Sequence, residues 1–198
     1  MSATDEQFRR ANAALQAGEL VVFPTETLYG IGCDATNAAA VASLCEAKHR
    51  PDDKPLAVIL GEASMASQLT DSFSGDAARL AESFWPGPLT LVLPAKAGLP
   101  GAIVGDGTIG MRVTSDPVAA RLSVELGRPI CSPSANPTGL PPAPGAAGAR
   151  AYFGKEVAVY LDDGPRDGEA SSVVIPGPPL EVLRAGPISR EELRSALD

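Results

Sequence analysis

Leu20-Val21-Val22-Phe23-Pro24-Thr25-Glu26-Thr27-Leu28-Tyr29-Gly30-Ile31-Gly32-Cys33-Asp34 decides how this chain is read. The four apolar residues Leu20 to Phe23 predict a short buried strand, and Pro24 ends it because proline has no N–H to give to a ladder. Two threonine hydroxyls, a carboxylate and a phenol then crowd into a polar turn. Gly30 and Gly32 supply either backbone angles or close approaches that a side chain would forbid. A polar segment at the C-terminal end of a strand lies where α/β proteins place ligands. The plainer reading is a strand followed by a glycine turn.

The next element weighs against that plainer reading. Asn37 is a cap for a helix over Ala38 to Ala47, rich in alanine with a leucine at its centre. This helix delivers Lys48-His49-Arg50-Pro51-Asp52-Asp53-Lys54-Pro55 ahead of an apolar strand over Leu56 to Leu60. Lys48, Arg50 and Lys54 put three cations within seven residues, which suits a multiply charged anion. A solvated helix end, where cations favour the dipole, is the alternative.

Outward from this stretch, Thr4 with Gln7 forms a capping box for a first helix that Gly18 stops. Helical pattern returns over Ser64 to Leu69 and Ser74 to Phe84, and Trp85-Pro86-Gly87-Pro88 ends it. Leu89 to Leu93 is an apolar strand, and Lys96 to Gly107 is loop-like. Ile109-Gly110-Met111-Arg112-Val113 is a strand carrying one charge. Asp116-Pro117 opens a helix with Val118, Leu122 and Leu126 at spacing four. Arg112 therefore sits on an internal strand, where it calls for a ligand anion or a buried partner. A third strand exit, Pro129 to Gly139, leads through a proline-rich loop to a helix ending near Phe153. There Ser134 and Asn136 point the same way if extended, facing a ligand or bonded to their own backbone. Val157 to Leu161, Ser172 to Ile175 and Glu181 to Arg184 are further strands, and Ser189 with Glu192 caps a last helix. The alternation predicts one α/β domain over residues 1–198 and leaves the strand order open.

Composition narrows the function. Lysine plus arginine total 16 against 24 aspartates and glutamates, for a formal net charge of -8. Such an acidic chain is a poor general binder of nucleic-acid backbone. Cys33, Cys45 and Cys131 are widely spaced and form no metal or disulfide pattern. No apolar leader precedes the first helix, and no run approaches the roughly 18 apolar residues of a membrane span. A cytoplasmic location is expected. There is no GxxxxGK[ST], no GxGxxG after a strand and no GxSxG around Ser134. The sole histidine, His49, lies between two cations, a poor setting for the base of a Ser-His-Asp hydrolase.

Taken together in order, PTETLYGIGCDA from Pro24, KHRPDDKPL from Lys48, WPGPLTLVL from Trp85, MRV from Met111, SPSANPTG from Ser132, SSVV from Ser171 and LRAG from Leu183 resemble the YrdC-type threonylcarbamoyl-adenylate synthases. The resemblance implies a twisted mixed β-sheet with surrounding helices and a concave nucleotide site. It also implies formation of threonylcarbamoyl-AMP and diphosphate from L-threonine, bicarbonate and ATP. Mg²⁺ is expected to arrive with ATP, with no organic cofactor. The product would serve the tRNA threonylcarbamoyl-transfer machinery of N6-threonylcarbamoyladenosine synthesis, with tRNA binding weak or indirect and no membrane partner. Position by position, Thr27, Arg112, Ser132 and Ser171 correspond to the threonine side. Lys48 and Arg50 correspond to a K-x-R pair facing phosphate and carry the catalytic assignment. Lys54, Thr108, Ser134, Asn136 and Arg184 fall at nucleotide-contacting positions.

Four positions depart from the family pattern: Lys54 for an asparagine, Ile59 for a histidine, Pro142 for a serine and Ser172 for a threonine. The further C-terminal domain of longer relatives is not expected after Asp198. A non-catalytic RNA-binding or ribosome-associated YrdC-like protein is the alternative function. A carbamoyltransferase fragment, similar to the YrdC-like domain of hydrogenase-maturation proteins, is the second.

Overall fold

A computed structural model describes residues 3–51 and 54–198. Six α-helices are present among the described residues: α1 Asp5–Gln16, α2 Ala38–Ala47, α3 Asp76–Phe84, α4 Pro117–Leu126, α5 Ala146–Phe153 and α6 Arg190–Ser195. Strands β1 Leu20–Phe23, β2 Gly30–Gly32 and β7 Val157–Tyr160 form a sheet in the order β2-β1-β7. Strands β3 Val58–Leu60, β4 Leu89–Pro94, β5 Thr108–Val113, β6 Ile130–Cys131, β8 Ser172–Ile175 and β9 Glu181–Arg184 form a second, in the order β6-β3-β5-β4-β8-β9. Both sheets mix parallel and antiparallel neighbours: β1 runs parallel to β7 but antiparallel to β2, and β3 runs parallel to β5 but antiparallel to β6.

The sheets join along one seam. The amide of Ile31 donates to Pro133 O, that of Cys131 to Cys33 O and that of Ala35 to Pro129 O. Isolated bridges pair Gly30 with Ser134 and Asp34 with Ile130. The segment expected as a glycine turn is therefore a strand, and the glycines serve close approach. A Cβ at Gly32 would lie 2.1 Å from Cys131 O, and one at Gly30 would lie 2.7 Å from Ser132 Oγ.

Two apolar layers explain why β1 and β3 read as uninterrupted hydrophobic runs. Leu20, Val22, Val58 and Leu60 face the main core with α2, whereas Val21, Phe23 and Ile59 face a second cluster built from Phe8, Ala11 and Leu15 of α1 and Val118, Leu122 and Leu126 of α4. Helices α1 and α4 cover β1, β3 and β6 on that second face. Arg112 lies opposite Ile59 in the ladder, so the same face continues over β5, β4, β8 and β9, where Arg112, Thr90 and Arg184 stand among Val92 and Val173.

Several element ends shift from the sequence reading by one or two residues, and two of the differences have a clear local cause. The strand expected from Leu56 begins at Val58, because the Leu56 amide is taken by Ala102 O in a 3₁₀ turn, Gly101–Ile103. The helix expected over Ser64 to Leu69 is 3₁₀ over Ala63–Gln68, closed by three-residue bonds such as Met65 N to Glu62 O. Among the described residues no helix is long and apolar enough to cross a membrane.

Candidate functional site

The Pro24 to Tyr29 loop is fixed by Thr25. Its buried hydroxyl donates to Leu28 O at 2.6 Å and accepts the amides of Thr27 and Leu28, each at 3.2 Å, while Thr27 Oγ1 lies 3.0 Å away. Arg166 clamps the loop from outside, donating through Nε to Thr25 O and through Nη2 to Asp116 and Asp163. The Tyr29 hydroxyl donates to Gly164 O at 2.8 Å and accepts the Asp163 amide at 3.1 Å. Gly168 packs so closely that a Cβ would meet Thr27 O at 2.5 Å.

So held, the loop turns Glu26 onto the polar face of the larger sheet. Its Oε1 accepts from Arg112 Nη1, and its Oε2 accepts from Thr114 Oγ1 at 2.6 Å. Arg112 sits one row from Thr90, which pairs with Val173, which in turn pairs with Arg184. Across this row the Thr90 and Ser171 hydroxyls lie 2.9 Å apart, and Arg184 donates to Ser171 through Nε to the carbonyl and Nη2 to the hydroxyl. Burial pushes both guanidinium groups below the ordinary arginine value, with Glu26 opposing that at Arg112 and Arg184 reinforcing it. A buried cation, Arg112, and a more exposed one, Arg184, beside the Glu26 carboxylate leave this cluster net positive, suited to a carboxylate or another small anion.

A second cluster forms at the seam. Lys48 ends α2, as the sequence reading required, and its carbonyl accepts the Thr138 amide at 2.8 Å. Its ammonium is buried against the carbonyls of Ser134 and Asn136, 2.5 Å from each. Desolvation, reinforced by the Arg50 charge, lowers its pKa to about 8. Arg50 donates to Lys54 O at 2.7 Å and Pro55 O at 2.9 Å. Asn136 uses Nδ2 on Pro137 O and Leu140 O, which is the turn-bonding alternative; its Oδ1 is buried with no hydrogen-bond partner, as is Ser132 Oγ. Buried polar atoms of this kind call for a ligand or water.

The residues singled out in sequence thus divide. Arg112, Ser171 and Arg184 meet at the first cluster beside the loop that carries Thr27, and Lys48, Ser134 and Asn136 meet at the second. Ser132 lies between, against Gly30. Thr108 begins β5 at the far end of the strand from Arg112, its hydroxyl on Gly105 O. Lys54 lines a cavity of about 230 Å³ with Cys45, Pro51, Gly101 and Ala102. Ile59 is buried in the second apolar cluster, and the Ser172 hydroxyl is tied to Ile188 on both its carbonyl and amide. Asp52 and Asp53 lie outside the described residues. Sequence reasoning gave no role to Thr90, Thr114, Arg166 or Tyr29. Threonine in a strand carries no signal of its own, whereas a charged residue in the turn after β7 opposite a polar loop was a usable one.

The family model described as Sua5_yciO_yrdC, telomere recombination, matches residues 13–186. The chain belongs to the Sua5/YciO/YrdC family. Among its relatives in that family, a Mycobacterium tuberculosis protein described as a putative threonylcarbamoyl-AMP synthase is 42% identical over 191 residues, covering 94% of this chain and 87% of its own. The Bacillus subtilis threonylcarbamoyl-AMP synthase is 38% identical over 201 residues, covering 100% of this chain and 58% of its own. The crystal structure of P. abyssi Sua5 complexed with L-threonine superposes with a TM-score of 0.91 at 35% identity, over 96% of this chain and 57% of that one. The chain therefore spans a little over half the length of these two longer Sua5/YciO/YrdC proteins. The mixed sheets and helices described above share the fold of that Sua5 structure.

Proposed function

We propose that this chain is a threonylcarbamoyl-AMP synthase, converting L-threonine, bicarbonate and ATP to threonylcarbamoyl-AMP and diphosphate. One observation carries the reading beyond family membership: a single loop serves both clusters. Glu26 in that loop lies on Arg112, and Gly30 at its end pairs with Ser134, whose carbonyl holds the Lys48 ammonium. An amino acid bound through its carboxylate at Arg112 and a triphosphate bound at Lys48 are thus neighbours across one short segment.

In this scheme the threonine amine and carbon dioxide from bicarbonate form a carbamate, an anionic nucleophile that attacks the α-phosphorus while diphosphate leaves. The protein's part is placement and charge. Arg112 holds the carboxylate, with Thr27, Ser132 and Ser171 around the amino acid. Lys48 and Arg50 face the phosphates, with Lys54, Thr108, Ser134 and Asn136 on the nucleotide side, and Arg184, a nucleotide-contacting position by resemblance, stands with Ser171 at the edge of the amino-acid cluster. Mg²⁺ enters bound to ATP as part of that substrate. The unpartnered Asn136 Oδ1 and Ser132 Oγ are donor-seeking positions that bound substrates would fill. The product passes to the machinery that modifies tRNA, and the enzyme works in the cytoplasm. The formal net charge of -8 favours this over an RNA-binding role without catalysis.

Mass spectrometry of the purified protein with ATP, threonine, bicarbonate and Mg²⁺ tests the reading. Threonylcarbamoyl-AMP should accumulate with diphosphate and be absent without bicarbonate. A threonyl adenylate lacking the carbamoyl mass, or no nucleotide turnover by folded protein, overturns it.

A further inference from the structure

The amino-acid cluster contains a carboxylate that the scheme above leaves without work. Glu26 has both oxygens engaged, by Arg112 and Thr114, and still keeps 14% of its side-chain surface open. The neighbouring carboxylates are committed elsewhere. Asp116 caps α4 through the amides of Val118 and Ala119 and takes Arg166 on its other oxygen. Asp162 meets Tyr29, and Asp163 meets Arg166. The sole imidazole, His49, is exposed at the end of α2. Among the described residues, Arg112 spends a single N–H on a protein group, so the rest of its fork remains for a ligand.

An isolated arginine accepts any carboxylate. An α-amino acid differs from other small acids in carrying an ammonium one carbon away from its carboxylate, and a cation and an anion fixed side by side match those two poles together. Arg112 and Glu26 are such a pair, at a sheet face where burial strengthens both attractions. We propose that Glu26 is the ammonium-binding residue of the amino-acid site, so that the α-carboxylate lies on the open edge of Arg112 and the α-ammonium on Glu26. The Thr114 hydroxyl keeps the carboxylate facing the ligand. Specificity for an amine-bearing acid over the matching hydroxy acid then resides in Glu26, because the hydroxy acid brings no cation to meet its carboxylate. This inference rests on threonine being the substrate.

The opposite role is that Glu26 merely fills the carboxylate position until a ligand expels it, and the two roles predict changes of opposite sign. Calorimetric titrations with ATP present and bicarbonate excluded use L-threonine and its 2-hydroxy counterpart, 2,3-dihydroxybutyrate of the same configuration. Wild type should prefer threonine. In Glu26→Gln, threonine should weaken by about 10- to 100-fold, the scale of a lost hydrogen bond to a charged group. The hydroxy acid should hold its affinity, so discrimination collapses. Glu26→Asp, which keeps the charge, should keep the preference and serves where the glutamine variant fails to fold. Unchanged or tighter threonine binding in Glu26→Gln, equal loss of both ligands, or loss of the preference in folded Glu26→Asp overturns the inference. Wild type that binds no threonine overturns the proposed function instead.

Discussion

The Lys48 ammonium donates to the Ser134 carbonyl at 2.5 Å across 86 residues of sequence, and carbonyls rather than carboxylates are its partners among the described residues. Neutral dipoles solvate a buried cation without cancelling its charge. The site therefore stores an uncompensated positive charge, the arrangement that electrostatic catalysis at a phosphate uses.

The pKa near 8 makes this testable. With the free enzyme, kcat/KM for ATP should fall as pH rises through about 8, because deprotonation removes the charge. At saturating nucleotide the fall should move to higher pH, since bound phosphate favours the ammonium. Lys48→Arg should lose this limb, and Lys48→Ala should slow single-turnover diphosphate release by about 10²–10³. The stability linkage has the matching sign. A lysine depressed from 10.5 to about 8 costs stability below pH 8 and is relieved as pH rises between these values, so wild type should gain on Lys48→Met across that window by roughly 3 kcal/mol in denaturant titrations. A pH profile identical in wild type and Lys48→Arg would show that Lys48 is not the titrating group.

How much of this was legible in the sequence follows from the range of each interaction. Asn37, Ala38–Ala47 and the residue before Pro51 determine a helix that stops at Lys48, all within one local segment. The seam that gives Lys48 its partners was not legible, since β2 has three residues, two of them glycine, and β6 has two. Neither is long enough to show alternation. Arg112 announced itself as a charge in an apolar strand. Its partner Glu26 is 86 residues away and carried no mark beyond lying in a polar loop. Asn136 was read as either turn-former or ligand contact, and its amide nitrogen does the first while its oxygen stays open for the second.

Arg112 should separate the two substrates. Arg112→Ala removes the main cation of the amino-acid cluster and leaves Lys48 and Ser134 untouched. Truncating one member of a desolvated charge pair costs roughly 2–5 kcal/mol. Calorimetry should show threonine binding weakened on that scale, with ATP binding within about twofold. Equal loss of both would assign Arg112 to folding or to a shared anion site.

The two seam glycines should differ in their tolerance of a methyl group. At Gly32 a Cβ meets the Cys131 backbone carbonyl at 2.1 Å and Phe23 at 2.9 Å, so the β2–β6 seam itself must open. At Gly30 the nearest atom is the Ser132 hydroxyl at 2.7 Å, which a rotamer change can move. Urea unfolding should show Gly32→Ala destabilised by about 3 kcal/mol or more and Gly30→Ala by about 1 kcal/mol. Because Gly30 also adjoins Ser132, Gly30→Ala should weaken substrate binding more than its small stability loss explains. Equal stability of the two variants would mean that the seam yields readily.

Arg166 should act as a tether, detectable through Asp116. Asp116 is buried with one oxygen capping α4 and the other on Arg166, whose Nε also holds Thr25 O. Arg166→Met leaves that carboxylate without its cation. Breaking a fully buried pair costs about 3–5 kcal/mol, and with the Arg166 side chain 22% exposed the loss should be nearer 2 kcal/mol. Asp116→Asn keeps the capping oxygen and removes the charge, so in the double variant most of the Arg166→Met penalty should vanish, with a coupling of roughly 1–2 kcal/mol. Threonine affinity should not recover with stability, because neither substitution restores the bond to Thr25 that fixes the loop bearing Glu26 and Thr27. Additive losses in the cycle would place the whole effect of Arg166 in its contacts with Thr25 and with Asp163 to Pro165, and recovery of threonine affinity alongside stability would show that the loop needs no tether.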